Sequence, residues 1–193
     1  MTTSTGTEAA HMPRGLGVLL AGGGIVGLVA AFTLTYDKLE LIKNPDYVPS
    51  CNFSAVLSCT NIMKSPESSV FGFPNPLLGL IGFSVVVTLG VLLLAKLDFP
   101  EWVWVGLQAG VLFGVAFVTW LQYQSLYDIT ALCPWCMVVW TVTIPMFLYV
   151  TLRNLRAWIP GNPVVEFLRN WHALILILWS IAIATAIFFR FYA

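Results

Sequence analysis

Five long apolar stretches constrain this chain more than any other feature of its sequence. They cover residues 15–35, 75–97, 102–124, 134–152 and 171–191. Each reaches the length of about 20 residues that an α-helix needs to cross a bilayer. Only 9% of the residues are charged and 59% are hydrophobic, a composition that excludes a water-soluble surface. We predict an all-α integral membrane protein, a bundle of five transmembrane helices.

The polar segments divide the chain further. Residues 1–12 carry small and polar side chains and predict a disordered N-terminal tail, so the membrane domain is expected to cover residues 13–193. The longest polar segment, residues 36–74, is predicted to be an outer loop whose charged side chains, Lys38 among them, face solvent. Nine basic and nine acidic residues balance, so nothing indicates a nucleic-acid partner.

Lysine and arginine residues indicate the orientation of the chain in the bilayer. With the N-terminus inside, the inner segments contain Arg14, Lys96, Arg153, Arg156 and Arg169, and the outer segments contain Lys38, Lys43, Lys64 and Arg190. The inner residues crowd short segments, whereas three of the outer ones are spread along the loop 36–74. Because dense basic residues mark the cytoplasmic side, we expect a multi-pass protein of the inner (plasma) membrane with a cytoplasmic N-terminus.

Small residues recur at every fourth position in two of the apolar stretches. The first stretch has Gly23, Gly27 and Ala31, and the third has Gly106, Gly110 and Gly114. Small side chains at this spacing let two helices approach closely. We expect both stripes to pack tightly against other helices of the same bundle, with a hinge or a dimer contact as the alternative.

All four cysteines fall on the predicted outer side. Cys51 and Cys59 lie in the loop, and Cys133 and Cys136 open the fourth apolar stretch in the sequence CPWC. The outer side is the oxidising one, where disulfides form and persist. Since proline is tolerated in the first turn of a helix, Cys133 is predicted at the N-cap and Cys136 one turn inside the helix.

This placement gives the CPWC pair the properties of a redox-active dithiol. Unpaired amides and the helix dipole stabilise a thiolate at a helix N-terminus, and residues three apart share a helix face, so the two sulfur atoms can bridge. Cys136 is expected about 4.5 Å further along the helix than Cys133, at 1.5 Å per residue. A lipid-soluble electron acceptor can therefore reach Cys136, which predicts electron flow from the loop side towards the membrane.

Two other interpretations of the cysteines stay open on the residues alone. The four thiols could hold a structural zinc ion, although the separation of Cys51 from Cys59 is unlike a zinc knuckle and no histidine lies near either pair. Two purely structural disulfides would suit a non-enzymatic membrane scaffold or channel, and four cysteines allow three pairings. We expect no metal site.

Three motifs, in their order along the chain, resemble the bacterial form of the vitamin K epoxide reductase family. The sequence CNFSAVLSC occupies residues 51–59, SSVFGFPNPLLG occupies residues 68–79, and CPWC opens the fourth stretch. The resemblance covers about residues 15–155. It implies a four-helix core around a quinone pocket, capped by the loop, and a thiol-oxidising enzyme that reduces a quinone of the menaquinone, ubiquinone or phylloquinone type.

The resemblance also implies a role for each cysteine. Cys51 and Cys59 match the shuttle pair, in which Cys51 exchanges with a partner protein and Cys59 exchanges with Cys133. Cys136 matches the residue that reacts with the quinone. The implied partner is a DsbA-like thioredoxin-fold protein. Some relatives carry such a domain after the fifth helix, and because this chain ends at Ala193 we expect a separate partner protein.

Four residues are candidates for contact with the quinone by the same resemblance. Ser68 is the nearest match to a polar residue that hydrogen-bonds a quinone oxygen in the family, and Phe71 and Asn75 belong to the same segment. Trp140 stands where vertebrate enzymes have a tyrosine, and an indole donates a hydrogen bond but accepts none. Reduction of vitamin K epoxide or quinone by small thiols is the enzymatic alternative.

Overall fold

Long helices dominate the computed structural model of the protein, which describes residues 14–54 and 56–192. Within these residues, five helices are long and apolar enough to cross a membrane, and we name them the first to fifth spans: Arg14–Lys43, Pro76–Leu94, Glu101–Tyr127, Pro134–Trp158 and His172–Phe191. The described ranges contain no strand. The predicted all-α membrane bundle of five spans is confirmed, whereas the predicted tail lies outside the described residues.

The first span extends further than its apolar stretch predicts. It continues past residue 35 as far as Lys43, and it contains a π-helical turn at Leu19–Gly23. The extension is stabilised by tertiary contacts, because Leu41 is buried against the loop and the buried carboxylate of Asp37 accepts a hydrogen bond of 2.9 Å from Tyr47. The loop to the second span therefore begins at Asn44, and the predicted start at residue 36 is wrong.

The described residues also form two short helices that were not predicted from the sequence. Cys59–Lys64 lies in the loop, where Ser58 is the N-cap and accepts a hydrogen bond of 3.4 Å from the amide of Asn61. Pro163–Asn170 connects the fourth and fifth spans. A turn of 3-10 helix at Pro66–Ser69 follows the first of these and leads the chain back towards the second span.

The first and second spans approach each other most closely. A Cβ atom on Gly90 would lie 2.3 Å from the amide nitrogen of Ala21, and one on Gly27 would lie 2.4 Å from the ring of Phe83. A Cβ on Gly23 would lie 2.8 Å from the side chain of Met146 in the fourth span. The predicted tight packing of the glycine stripe in the first span is therefore confirmed.

The third and fourth spans are joined by polar contacts as well as by packing. Asn154 is fully buried and donates hydrogen bonds to the backbone oxygen of Trp104 at 3.2 Å and to the side chain of Gln108 at 3.0 Å. Gln108 in turn donates to Thr151 at 3.0 Å. Because the side-chain amides of Asn154 and Gln108 both have hydrogen-bond partners, they link the two helices at a reduced desolvation cost, whereas the buried Nε1 atom of Trp104 has no partner among the described residues.

The fifth span lies at the periphery of the bundle. None of its described residues is buried, in contrast to the other four spans. Its C-terminal end packs against the third and fourth spans through Ala186, Ile187 and Phe191. Arg190 also donates a hydrogen bond of 2.9 Å to the carbonyl of Leu126 near the end of the third span. The core of the bundle consequently consists of the first four spans.

The close crossing at Gly90 makes a prediction for stability. The Gly90→Ala variant is expected to unfold more readily by about 3 kcal/mol, because the added methyl group overlaps backbone atoms that cannot rotate away. Thermal unfolding in detergent, followed by tryptophan fluorescence, measures the difference. The matched control is Gly22→Ala, whose Cβ meets no atom within 4 Å. Equal unfolding temperatures for the two variants would contradict this packing.

Candidate redox site and membrane cavity

The four cysteines converge at one end of the bundle. Cys51 and Cys59 form a disulfide within the loop, and Cys133 and Cys136 are free thiols at the start of the fourth span. The Sγ atom of Cys59 lies only 3.2 Å from the Sγ atom of Cys133. The two pairs are thus in direct sulfur–sulfur contact, although 74 positions separate these two residues in the sequence.

Backbone hydrogen bonds hold the loop in this position. An isolated parallel bridge pairs Leu57 with Leu132. The amide of Ser58 donates to the carbonyl of Leu132 at 2.9 Å, and the amide of Leu132 donates to the carbonyl of Val56 at 2.7 Å. Since each bonded segment leads directly into a cysteine, the bridge sets Cys59 beside Cys133.

Cys133 occupies the N-cap of the fourth span, as the sequence predicts. Its Sγ atom accepts a hydrogen bond of 3.4 Å from the backbone N–H of Cys136. The pKa of the Cys133 thiol is lowered, first because the side chain of Cys136 hydrogen-bonds it and then because the amides of Cys136 and Trp135 do so. These contacts outweigh burial and the charge of Asp37, which act in the opposite direction. These hydrogen bonds therefore favour the thiolate form of Cys133.

The loop shields the sulfur atoms from water. Cys51 is 3% exposed, Cys59 0% and Cys133 1%. Cys136 is partly buried and faces a cavity within the bundle. Cys51, the expected point of exchange with a partner protein, therefore lies beneath the surface.

A buried acidic residue that the sequence analysis missed lies beside the loop disulfide. The carboxylate of Asp37 is 4.0 Å from the Sγ atom of Cys51, and only 3% of the residue is exposed. The hydroxyl of Tyr47 donates to this carboxylate, and that hydrogen bond raises the pKa of Tyr47. The only signal in the sequence is an acidic residue directly after an apolar stretch, which is more typical of a solvated helix end.

The cavity has a volume of about 550 Å³ and an almost wholly apolar lining from the first four spans and the loop. Three of the four predicted contact residues, Ser68, Asn75 and Trp140, line it together with Cys136. Phe71 is not part of the lining; its half-exposed ring packs against Phe117, a residue of the third span that does line the cavity. Lys38, which was expected in solvent, lines the cavity instead.

The glycine stripe of the third span borders this cavity. A Cβ atom on Gly106 or Gly110 would meet no atom within 4 Å, and Gly82 on the facing second span is equally open. The expected tight packing is therefore wrong for Gly106 and Gly110, which face a space between the helices. The lining runs along the third span from Trp102 to Ser125, roughly 35 Å at 1.5 Å per residue, so the cavity forms a groove along most of this span.

The sulfur contact makes a prediction for disulfide formation. In a Cys51→Ala, Cys136→Ala double variant only Cys59 and Cys133 remain, and air oxidation should join them within one chain because their Sγ atoms already touch. Mass spectrometry of peptides prepared without reductant identifies the bond. The control, a Cys59→Ala, Cys136→Ala variant, leaves Cys51 and Cys133 and should stay largely reduced. Persistent free thiols in the first variant would contradict the observed contact.

A comparison with known protein families agrees with this geometry. The model of the vitamin K epoxide reductase family matches residues 18–151, which is more than half of the chain. The matched region includes all four cysteines and leaves out the fifth, peripheral span. The match confirms the resemblance predicted from the three motifs. No curated protein matches the chain.

Proposed function

Because the chain belongs to the vitamin K epoxide reductase family, whose members are membrane oxidoreductases, we propose that it is a thiol:quinone oxidoreductase. In this proposal a separate thioredoxin-fold protein supplies electrons, two cysteine pairs carry them, and a membrane quinone accepts them. The observation that carries the proposal is the 3.2 Å contact between the sulfur atoms of Cys59 and Cys133. The proposed electron flow would support disulfide formation in exported proteins.

The first step is thiol–disulfide exchange at the loop pair. A thiolate of the partner attacks Cys51, a mixed disulfide forms, and the Cys51–Cys59 bond breaks with Cys59 as the leaving thiolate. The nearby carboxylate of Asp37 supports this direction. A negative charge disfavours a second negative charge beside it, so the electron pair leaves on Cys59 rather than on Cys51. The second thiol of the partner then releases Cys51 as a thiol.

Access to Cys51 requires movement of the loop. The residue is 3% exposed, whereas its neighbours Ser50 and Phe53 are exposed. The chain from Asn44 to Ser58 contains no helix or named strand in its described part, so it can shift with little loss of regular structure. We expect the partner to bind an opened form of this segment.

The second step transfers the electrons to the fourth span. The Cys59 thiolate attacks Cys133, the Cys133–Cys136 disulfide breaks, and Cys136 receives the leaving electron pair and a proton. Cys51 then displaces Cys133 from Cys59, which restores the loop disulfide and leaves Cys133 as a thiolate. A separation of 3.2 Å falls within the roughly 3–3.5 Å of reacting atoms poised for attack. The arrangement of the structure, with Cys51 bonded to Cys59 and with Cys133 and Cys136 unbonded, is compatible with the state of the chain after this step.

The cavity has the chemistry that a quinone requires. Its apolar walls suit a flat ring, Cys136 and Trp140 border it, and Ser68 and Asn75 add polar groups. The groove beside Gly106 and Gly110 leaves room for a long apolar tail. A quinone bound here supplies a two-electron acceptor. Cys133 and Cys136 close their disulfide as they release two electrons and the one proton of the Cys136 thiol, and solvent supplies the second proton of the quinol.

The outer side of the plasma membrane is the proposed location of the cysteines. They lie at the end of the bundle where the first span finishes and the fourth begins. Arg14, Arg153 and Arg156 lie near the opposite helix ends, which agrees with a cytoplasmic N-terminus.

A second candidate is reduction of vitamin K epoxide or quinone by small thiols. The burial of Cys51 favours it, since a small dithiol enters a narrow opening more readily than a protein does. The two candidates share every cysteine and differ in the electron donor.

Anaerobic turnover with the purified protein tests the proposed function. Quinone absorbance is followed with either a reduced thioredoxin-fold protein or a small dithiol as the donor. Cys136→Ala should lower quinone reduction at least about 1000-fold, the scale expected on loss of a covalent reactant, while exchange between the loop pair and the donor continues. Cys51→Ser should block electron transfer from the protein donor and spare the small dithiol.

The control is Thr141→Ala on the fourth span, an exposed residue outside the cavity lining, which should retain turnover. Undiminished quinone reduction by Cys136→Ala would contradict the proposal. If the small dithiol supports turnover and no thioredoxin-fold protein does, the second candidate is favoured.

A further inference from the structure

Lys38 carries a positive charge into the cavity. It lies on the first span, is partly buried, and borders a lining that is otherwise almost entirely apolar. Within the described residues, the ion pairs are Lys43 with Glu40 and Arg169 with Glu166, and neither involves Lys38. Its neighbour Asp37 is directed to Tyr47 and the loop disulfide instead. The charge is thus held beside the cavity without a carboxylate partner.

The hydrogen bonds of Lys38 leave one donor free. Its ammonium group donates to the backbone oxygen of Met63 and, at 2.8 Å, to the hydroxyl of Ser68. An ammonium group has three N–H bonds, so one remains for a ligand in the cavity.

Of the two polar residues expected to bind a quinone, Ser68 has no hydrogen-bond donor left and Asn75 has one N–H left. Ser68 has a single hydroxyl hydrogen, and the backbone oxygens of Met63 and Ser65 lie 2.8 and 2.7 Å away to accept it. Asn75 donates to the carbonyl of Glu67 at 2.6 Å and accepts from the amide of Val70 at 3.1 Å. These contacts hold the loop over the cavity. The remaining N–H of Asn75 is uncharged, whereas the remaining donor of Lys38 carries a positive charge.

A positive charge beside a quinone also favours electron transfer to it. The carbonyl oxygens of a quinone become more negative as electrons arrive, and a fixed positive charge in an apolar cavity attracts that charge more strongly than it would in water. An uncharged serine hydroxyl supplies much less of this stabilisation.

We propose that Lys38, rather than Ser68, hydrogen-bonds a quinone oxygen and stabilises the negative charge that develops there. This inference rests on the proposed function and names the binding group of the same site. It makes Ser68 a positioning residue that accepts a hydrogen bond from Lys38 and ties it to the loop.

Equilibrium binding of two naphthoquinones tests this assignment without turnover. One probe is a neutral dimethylnaphthoquinone. The other replaces one methyl group by a hydroxyl that is ionised at neutral pH, so it presents a negative charge on the same ring. The protein, with both cysteine pairs oxidised, is placed in nanodiscs of zwitterionic lipid, and tryptophan quenching is corrected for partition into empty nanodiscs.

The expected result is a charge preference that depends on Lys38. Wild-type protein should bind the anion more tightly than the neutral probe. Lys38→Met should weaken binding of the anion about tenfold more than binding of the neutral probe, which corresponds to ~1.4 kcal/mol. Lys38→Arg should keep the preference because it keeps the charge. Ser68→Ala should keep it because the ammonium group remains.

The control is Lys64→Met, an exposed lysine that donates to the carbonyl of Pro45 at 3.1 Å outside the cavity lining. This variant should behave as wild type. An equal loss of both probes in Lys38→Met would assign Lys38 a purely structural role and overturn the inference. If wild-type protein neither binds nor reduces the neutral quinone, the proposed function fails and the inference fails with it. Binding and reduction without a charge preference overturn the inference alone.

Discussion

The contact between Cys59 and Cys133 is the interaction on which the rest of this structure depends. It joins a loop to a membrane helix, and its two sulfur atoms belong to different pairs. The backbone bridge between Leu57 and Leu132 holds the two segments in register. Burial of both cysteines would keep water and other thiols away from the proposed exchange. A loop displaced by a few ångströms would separate the two cysteine pairs and prevent the proposed electron transfer between them.

The C-terminal end of the first span contacts both the loop disulfide and the cavity. Successive residues on an α-helix point about 100° apart, so two neighbours can face different sites. Asp37 faces the loop disulfide and Tyr47, whereas Lys38 faces the cavity and Ser68. The negative charge therefore lies at the proposed point of attack by a partner thiolate, and the positive charge lies at the proposed exit of electrons to a quinone. The field along the proposed path favours movement of electrons towards the membrane.

Features that depend on local sequence could be predicted. Apolar length determines the five spans, and the proline of CPWC determines the position of Cys133 at a helix N-cap. Features that depend on the position of a neighbouring helix could not be predicted from the sequence. Gly27 and Gly110 belong to stripes with the same spacing, yet a Cβ on the first would overlap Phe83 and one on the second would meet no atom within 4 Å. Only the arrangement of the second span decides between these outcomes.

The environments of the polar residues in the first span could not be predicted from local sequence either. Lys38 looks like a solvated residue in the sequence because the groups that bind it, Met63 and Ser68, lie 25 and 30 positions away. Leu41 and Asp37 prolong the helix for a similar reason, since their contacts come from the folded loop. The loop could be located from its cysteines, but its fold over the cavity could not be inferred from composition.

The order in which the two disulfides form tests the central claim most directly. Fully reduced protein is mixed with one equivalent of quinone, quenched with acid at successive times, alkylated, and analysed by mass spectrometry. The relay predicts that the Cys133–Cys136 disulfide appears first and that the Cys51–Cys59 disulfide appears later, as the first one declines. Formation of the Cys51–Cys59 disulfide first, or at an unchanged rate in Cys136→Ala, would contradict a relay that runs through the fourth span.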